Sequence, residues 1–219
     1  MTRRIVDLSH PVVDGMTTYP GLPAPRISVH TDRAESAARL SGGVSFHIGQ
    51  IDMVANTGTY LDAPFHYHAD GADCATLPPE RLVDVPAVVI RAVGRAYVDT
   101  HHLGEVGELW GRAVLVHTDW SRHWGSPDYL SGGPYLTGAA ARALVEANVA
   151  LVGIDSLNID DNTDPTRPVH HRLLGAGIPI VEHLTNLDQL PDTGVRLTAL
   201  PAPVRGMGTF PVRAVAVFG

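Results

Sequence analysis

The chain has 219 residues, of which 44% are hydrophobic, and a formal charge of −7 from 16 basic and 23 acidic groups. That apolar share, with a mean hydropathy of +0.04, excludes a largely disordered chain, and the acidic balance is the opposite of a nucleic-acid-binding footprint. All 16 basic residues are Arg, which excludes Schiff-base, P-loop and general-base chemistry by lysine.

Short Val- and Ile-rich runs bounded by Gly, Pro or Asp predict strands at residues 26–30, 44–54, 86–93 and 113–118. Thr137 can cap a helix over residues 138–147, with Ala140, Leu144 and Ala147 on its buried face and Asn148 as its stop. A strand at 150–154 completes a βαβ-like unit. A second helix starts near Pro168, carries His170, Leu173 and Leu174, and stops at Gly175 or Gly177. Residues 178–182 read as a strand that Pro179 either starts or confines to a sheet edge. Strands at 197–200 and 212–218 close the chain. The early strands follow one another without helices, so an α+β arrangement of mixed sheets is expected rather than a doubly wound sheet. No linker composition divides the chain, so residues 1–219 are expected to form a single domain.

Cys74 is the single cysteine, which excludes an intrachain disulfide and fits a cytoplasmic location. No stretch approaches about 18 uninterrupted apolar residues, so no membrane partner is expected.

Chemistry-bearing residues are densest in Asn56-Thr57-Gly58-Thr59-Tyr60-Leu61-Asp62-Ala63-Pro64-Phe65-His66-Tyr67-His68. In an extended segment Asn56, Tyr60 and Asp62 fall on one side, and Pro64 then ends regular pairing. By spacing alone this is also what a polar strand end with surface histidines looks like.

The run resembles the signature of the cyclase family that includes bacterial kynurenine formamidases and isatin hydrolase, His-x-Gly-Thr-His-x-Asp-x-Pro-x-His. Gly58, Thr59, Asp62, Pro64 and His66 match it, whereas Asn56 and Tyr60 stand where the family has its two leading histidines. Further segments resemble the family in order: residues 7–11, 15–16 and 19–21, Val116-His117-Thr118-Asp119-Trp120, Gly153-Ile154-Asp155-Ser156, His170-His171-Arg172-Leu173-Leu174, residues 178–182 and residues 206–216.

The resemblance implies a β/β/α layered fold with mixed sheets, a homo-oligomer (dimer or tetramer), and hydrolysis of a small aromatic or cyclic amide, lactam or ester. It implies a divalent metal, zinc or manganese, on the two motif histidines and the aspartate, with a second position on Asp62, His170 and Glu182. His66 would be the proton shuttle. An amide oxygen at 56 is a weak ligand, and a phenol at 60 must first lose a proton with a pKa of about 10. Three outcomes therefore stand open: one residual metal on Asp62, His170 and Glu182; an unusual site completed by Asn56 and Tyr60; or acid–base chemistry by Tyr60, Asp62, His66 and Glu182 without metal. A ring-forming cyclase and an inactive small-molecule binding protein are the alternatives to a hydrolase.

Tyr19, Trp120 and Trp124 are candidate aromatic walls for a flat substrate. His68 and His171 are expected at the surface and His183 on the far side of its strand, while His101, His102 and His123 receive no role. His47 is a weakly supported pocket residue. Cys74 lacks the neighbours of a reactive thiolate. Asp155 either orients a ligand or caps a turn, and Asp160, Asp161 and Asp164 read as a polar loop.

Overall fold

A computed structural model describes residues 2–104 and 106–219. In chain order its elements are β1 (Arg4–Asp7), β2 (Arg26–Thr31), α1 (Arg33–Arg39), β3 (Ile48–Asp52), β4 (Tyr60–Asp62), β5 (Val85–Arg91), β6 (Tyr97–Val98), β7 (Ala113–His117) and β8 (Tyr135–Leu136). They continue with α2 (Gly138–Glu146), β9 (Leu151–Ile154), α3 (Pro168–Gly175), β10 (Ile180–Glu182), β11 (Val195–Thr198), β12 (Thr209–Pro211) and β13 (Val215–Phe218).

Nine strands form one mixed sheet in the order β1-β13-β11-β5-β7-β9-β10-β4-β12. Its middle, β5, β7, β9 and β10, is parallel, and every other pairing in it is antiparallel. Parallel strands buried on both faces need continuous apolar sequence; all five residues of β7 and all four of β9 are buried. The crossovers from β7 to β9 and from β9 to β10 carry α2 and α3 respectively, the usual way to join parallel neighbours.

Side chains alternate between two cores. Val88, Val114, Val116, Val152, Ile154 and Ile180 pack with Ala140, Leu144, Leu173 and Leu174 of the two helices. On the other face Ala87, Val89, Ala113, Leu115, Leu151 and Val181 pack with Val6, Leu61, Leu197 and Ala216 from outlying strands. The sheet thus curls and covers one face with itself and the other with helices. This is the mixed-sheet α+β arrangement, with helices segregated to one side, that the strand order predicts.

α2 begins where expected: the Thr137 side chain accepts from Ala140 N–H at 3.1 Å, and Asn148 turns the chain at φ 47°. Several boundaries differ. Residues 44–54 pair only over β3, after the turn at Gly42 and Gly43, and α1 was not expected although Asp32 caps it by accepting from Glu35 N–H at 2.7 Å. β10 is interior, between β9 and β4. Pro179 lies just before it and supplies only its carbonyl, to Val152 N–H at 3.1 Å, so its missing N–H breaks no ladder bond. The C-terminal residues 209–211 form the separate edge strand β12.

Asp155 proves structural. Its carboxylate accepts from Thr118 N–H (2.8 Å), Thr118 Oγ–H (2.5 Å) and Asp119 N–H (2.9 Å), tying the ends of β7 and β9 together. Burial nonetheless pushes it up to about 6. Gly208 is required by close approach: a Cβ there would lie 2.6 Å from His66 Cα and 2.7 Å from His66 N. Gly208→Ala therefore has to displace backbone, and we expect it to cost about 1–3 kcal/mol, a Tm lower by roughly 2–12 °C in thermal denaturation. An unchanged Tm would show that the two segments separate freely.

Candidate active site

Three elements converge on the helix-covered side of the sheet at β4 and β10, near the edge formed by β12. β4 and β10 pair antiparallel with Tyr60 opposite Glu182 and Asp62 opposite Ile180. Residues directly opposite, and those two apart, share a face, so Tyr60, Asp62 and Glu182 all point toward α3. Pro64 then opens a 3-10 turn, Pro64–His66, that returns His66 Nε2 to 3.9 Å from Asp62 Oδ1. α3 supplies His170, whose Nε2 lies 3.6 Å from Asp62 Oδ2 and 3.5 Å from Glu182 Oε1.

Asp160 aims that imidazole. It accepts from Val169 N–H (2.7 Å) and His170 N–H (3.0 Å) at the start of α3, and lies 2.7 Å from His170 Nδ1. With Nδ1–H committed there, Nε2 is the nitrogen that faces Asp62 and Glu182. The expectation of a merely polar loop at Asp160 is corrected, because Asp160 is buried beneath the helix end. Asp161 and Asp164 do fold the loop, onto Thr163 and Thr166 respectively.

Glu182 is held at both oxygens, by Ile159 N–H (2.7 Å) and by the Tyr60 hydroxyl (2.6 Å). Burial, then the charges of Glu182 and Asp62, hold the Tyr60 phenol well above its usual 10. Its one proton is already donated to Glu182, which makes Tyr60 a clamp on that carboxylate instead of a free acid. Asn56 Oδ1 accepts from Thr209 Oγ–H at 3.0 Å. Burial pushes Glu182 up to about 7 despite the opposing effect of His170. For His170 burial acts downward, but Glu182, Asp160 and Asp62 together outweigh it and raise the imidazole to about 10. His66 is lowered by burial, with Asp62 only partly opposing.

A cavity of about 260 Å³ opens above the cluster, lined by Tyr19, Leu22, Asn56, Tyr60, His66, Tyr67, Asn158, Arg167, His170 and Glu182. Tyr67 stacks on His170 with ring centres 5.0 Å apart. A larger cleft of about 740 Å³ holds His68, His171 and Arg81, but the metal-competent cluster lies elsewhere.

Of the residues expected at the site, Asn56, Tyr60, Asp62, His66, His170, Glu182 and Tyr19 come together. Trp120 does not line the cavity: its Nε1 donates to Tyr129 O at 3.2 Å, and its ring abuts Gly133. Trp124 stacks on His10 at 4.0 Å and meets His183 edge-on. His183, expected across the strand, is buried behind Tyr60, with Nδ1 2.8 Å from the Tyr129 hydroxyl. His47 is exposed, as is His171. Burial pushes the Cys74 thiol up to about 11, away from nucleophilic use. Tyr67, Asn158, Arg167 and Asp160 were missed. Only Asp160 carried a signal, an acidic residue ahead of a helix start.

Asp62, His170 and Glu182 can hold a divalent ion, since one ligand atom from each lies within 4.8 Å of the others. A tetrahedral site with bonds of about 2.05 Å has ligand–ligand edges near 3.3 Å, close to the 3.5 and 3.6 Å separations at His170 Nε2. Both oxygens of Asp62 are buried without a hydrogen-bond partner, which is costly for a carboxylate unless a cation meets it. The other position fits poorly: Asn56 and Tyr60 have committed their oxygens within the protein, and the phenol keeps its proton.

The family model described as "Putative cyclase" matches residues 6–161, and the chain belongs to that family. A kynurenine formamidase from Bacillus cereus is 30% identical over 220 residues, spanning 98% of this chain and 97% of its own. Isatin hydrolase A from Labrenzia aggregata superposes with a TM-score of 0.87 at 28% identity, over 99% of this chain and 94% of that one. A potential metal-dependent hydrolase with cyclase activity gives 0.82 at 25% identity, over 100% and 99%.

The donor set predicts one zinc or manganese ion per chain after loading and desalting, measured by elemental analysis. The double variant Asn56→His/Tyr60→His should gain a second. Two ions on the unaltered chain would contradict the reading of Tyr60 and Asn56.

Proposed function

We propose that this protein is an arylformamidase-like amidohydrolase, acting on the C–N or C–O bond of a small aromatic or cyclic amide, lactam or ester. The observation that carries this is His66, a partly exposed imidazole on the cavity wall beside the Asp62–His170–Glu182 cluster. The similarity to a kynurenine formamidase and an isatin hydrolase supports the same reaction class. A volume of about 260 Å³ suits a one-ring substrate, below the roughly 300 Å³ at which pockets for drug-sized ligands begin.

Asp62, His170 and Glu182 are the residues that would hold the divalent cation. When bound, it polarises the carbonyl and lowers the pKa of water. Because burial lowers His66, its imidazole is neutral at pH 7 and Nε2 takes a proton from the attacking water. The water oxygen bonds to the carbonyl carbon, the C–N bond breaks, and His66 returns the proton to the departing nitrogen. Asp160 fixes the His170 tautomer, Tyr60 and Ile159 N–H hold Glu182, and Asn56 and Tyr19 contact the substrate from the walls. His66→Ala is expected to lower kcat/KM for N-formylkynurenine by about 10²- to 10⁴-fold, and chelation should abolish turnover until zinc or manganese is returned. A His66→Ala enzyme within threefold of the parent would remove the proton shuttle.

We also infer that the working form is a homo-oligomer, with residues 1–219 as one catalytic unit in each copy. β2 and β3 form a separate two-stranded ribbon on which Ile27, Val29, Ile48 and Ile51 are all 45–58% exposed. A lone hairpin is marginally stable, and an apolar patch of this kind calls for a cover; a second copy supplies the same ribbon. No helix among the described residues is long and apolar enough to cross a membrane, and the lone Cys74 fits a cytoplasmic enzyme. Light scattering should give a dimer or tetramer for the parent chain and a smaller species for Ile27→Asp/Ile51→Asp. A monomeric parent would overturn the interface.

A further inference from the structure

The cavity has an acidic floor and one arginine on its wall. Arg167 immediately precedes α3 and lines the cavity with Tyr19, Tyr67 and His66. Its Nη1 donates to Asp161 O (3.2 Å) and Asn162 Oδ1 (2.9 Å), and Asn162 Oδ1 also accepts from the Tyr19 hydroxyl at 3.2 Å. Among the described residues no carboxylate lies within 4.0 Å of this guanidinium, whereas Arg91, Arg122, Arg196 and Arg213 each have one. The nearest acids in sequence, Asp161 and Asp164, each accept from the Thr two residues ahead and form no ion pair with Arg167. Arg167 Nε and Nη2 have no protein acceptor among the described residues.

The backbone is also unusual there. Arg167 has φ 44° and ψ 57°, and its own side chain does not cap the helix, because Asp160 takes the first N–H groups of α3. A residue with a Cβ pays about 1–2 kcal/mol for the left-handed region, and such strain collects at ligand clamps. A guanidinium anchored by one nitrogen to neutral acceptors, with the Nε/Nη2 edge left over, matches a carboxylate in two-point geometry.

We propose that Arg167 is the specificity residue of this cavity and binds a carboxylate on the substrate, so that the preferred substrates are anionic aromatic amides. The ligand's negative end is drawn to Arg167 and kept from Asp62 and Glu182, which orients its amide carbonyl toward His66. For turnover, this rests on the hydrolase reading above; for binding it does not.

Two probe pairs test it on the metal-loaded full chain. The ratio of kcat/KM for 2-formamidobenzoate to that for formanilide should be at least tenfold in favour of the carboxylate. Arg167→Gln should lower that ratio at least tenfold, mainly through KM, and Arg167→Lys should recover part of it as a point charge without the fork. Calorimetric binding of benzoate against benzamide needs no turnover, and its affinity ratio should fall at least tenfold in Arg167→Gln. If neither formamide is hydrolysed but the benzoate ratio falls, the hydrolase reading fails and the Arg167 assignment stands. If both ratios are the same in the parent and Arg167→Gln, Arg167 does not read a carboxylate.

Discussion

Asp62 is fully buried, and neither of its carboxylate oxygens meets a hydrogen-bond donor. A bare carboxylate in that position is untenable by several kcal/mol unless positive charge stands beside it. His170 supplies one such neighbour, but Glu182 shares it, and Asp160 holds its other nitrogen. One imidazole facing three carboxyl groups, of which burial already pushes Glu182 up to about 7, leaves the cluster short of positive charge. The surrounding architecture serves to hold these groups together in spite of their repulsion, and a divalent cation is the simplest way to relieve it.

The sheet makes that confinement possible. Opposite register between β4 and β10 puts Tyr60, Asp62 and Glu182 on one face, and both strands are anchored from behind by Leu61 and Val181 in the second core. Moving either strand by one residue would send the carboxylates into that apolar side. Tyr60 changes what the register delivers. Where the family motif has histidine, a neutral phenol now clamps Glu182, so a position that would ligate metal has become part of the support for the remaining ligands. This explains how the site keeps Asp62, His170 and Glu182 in order with fewer nitrogen donors.

Much of this was legible from residues alone, because the family motif, the caps and the apolar periodicity act over short distances. Thr137, Pro168 and the runs of Val and Ile mark their elements locally, and Asp62, His66, His170 and Glu182 follow from matched motifs. Other features depend on contacts between distant segments. Asp160 looks like one of several loop acids until α3 is packed above it. The Tyr60–Glu182 bond exists only in one strand register, and Trp124 leaves the cavity because it finds His10, more than a hundred residues away. Arg167 is hidden for a different reason: nothing in its side-chain type favours a left-handed backbone, which the fold imposes. α1 did announce itself through Asp32 and Glu35, in a segment too short for its periodicity to stand out.

Anomalous diffraction from crystals grown with zinc or manganese tests the charge deficit at Asp62 most directly. One peak per chain is expected, in contact with Asp62, His170 and Glu182 and apart from Asn56 and the Tyr60 hydroxyl. No peak at full metal exposure, or a pair of peaks with Tyr60 as a ligand, would contradict it.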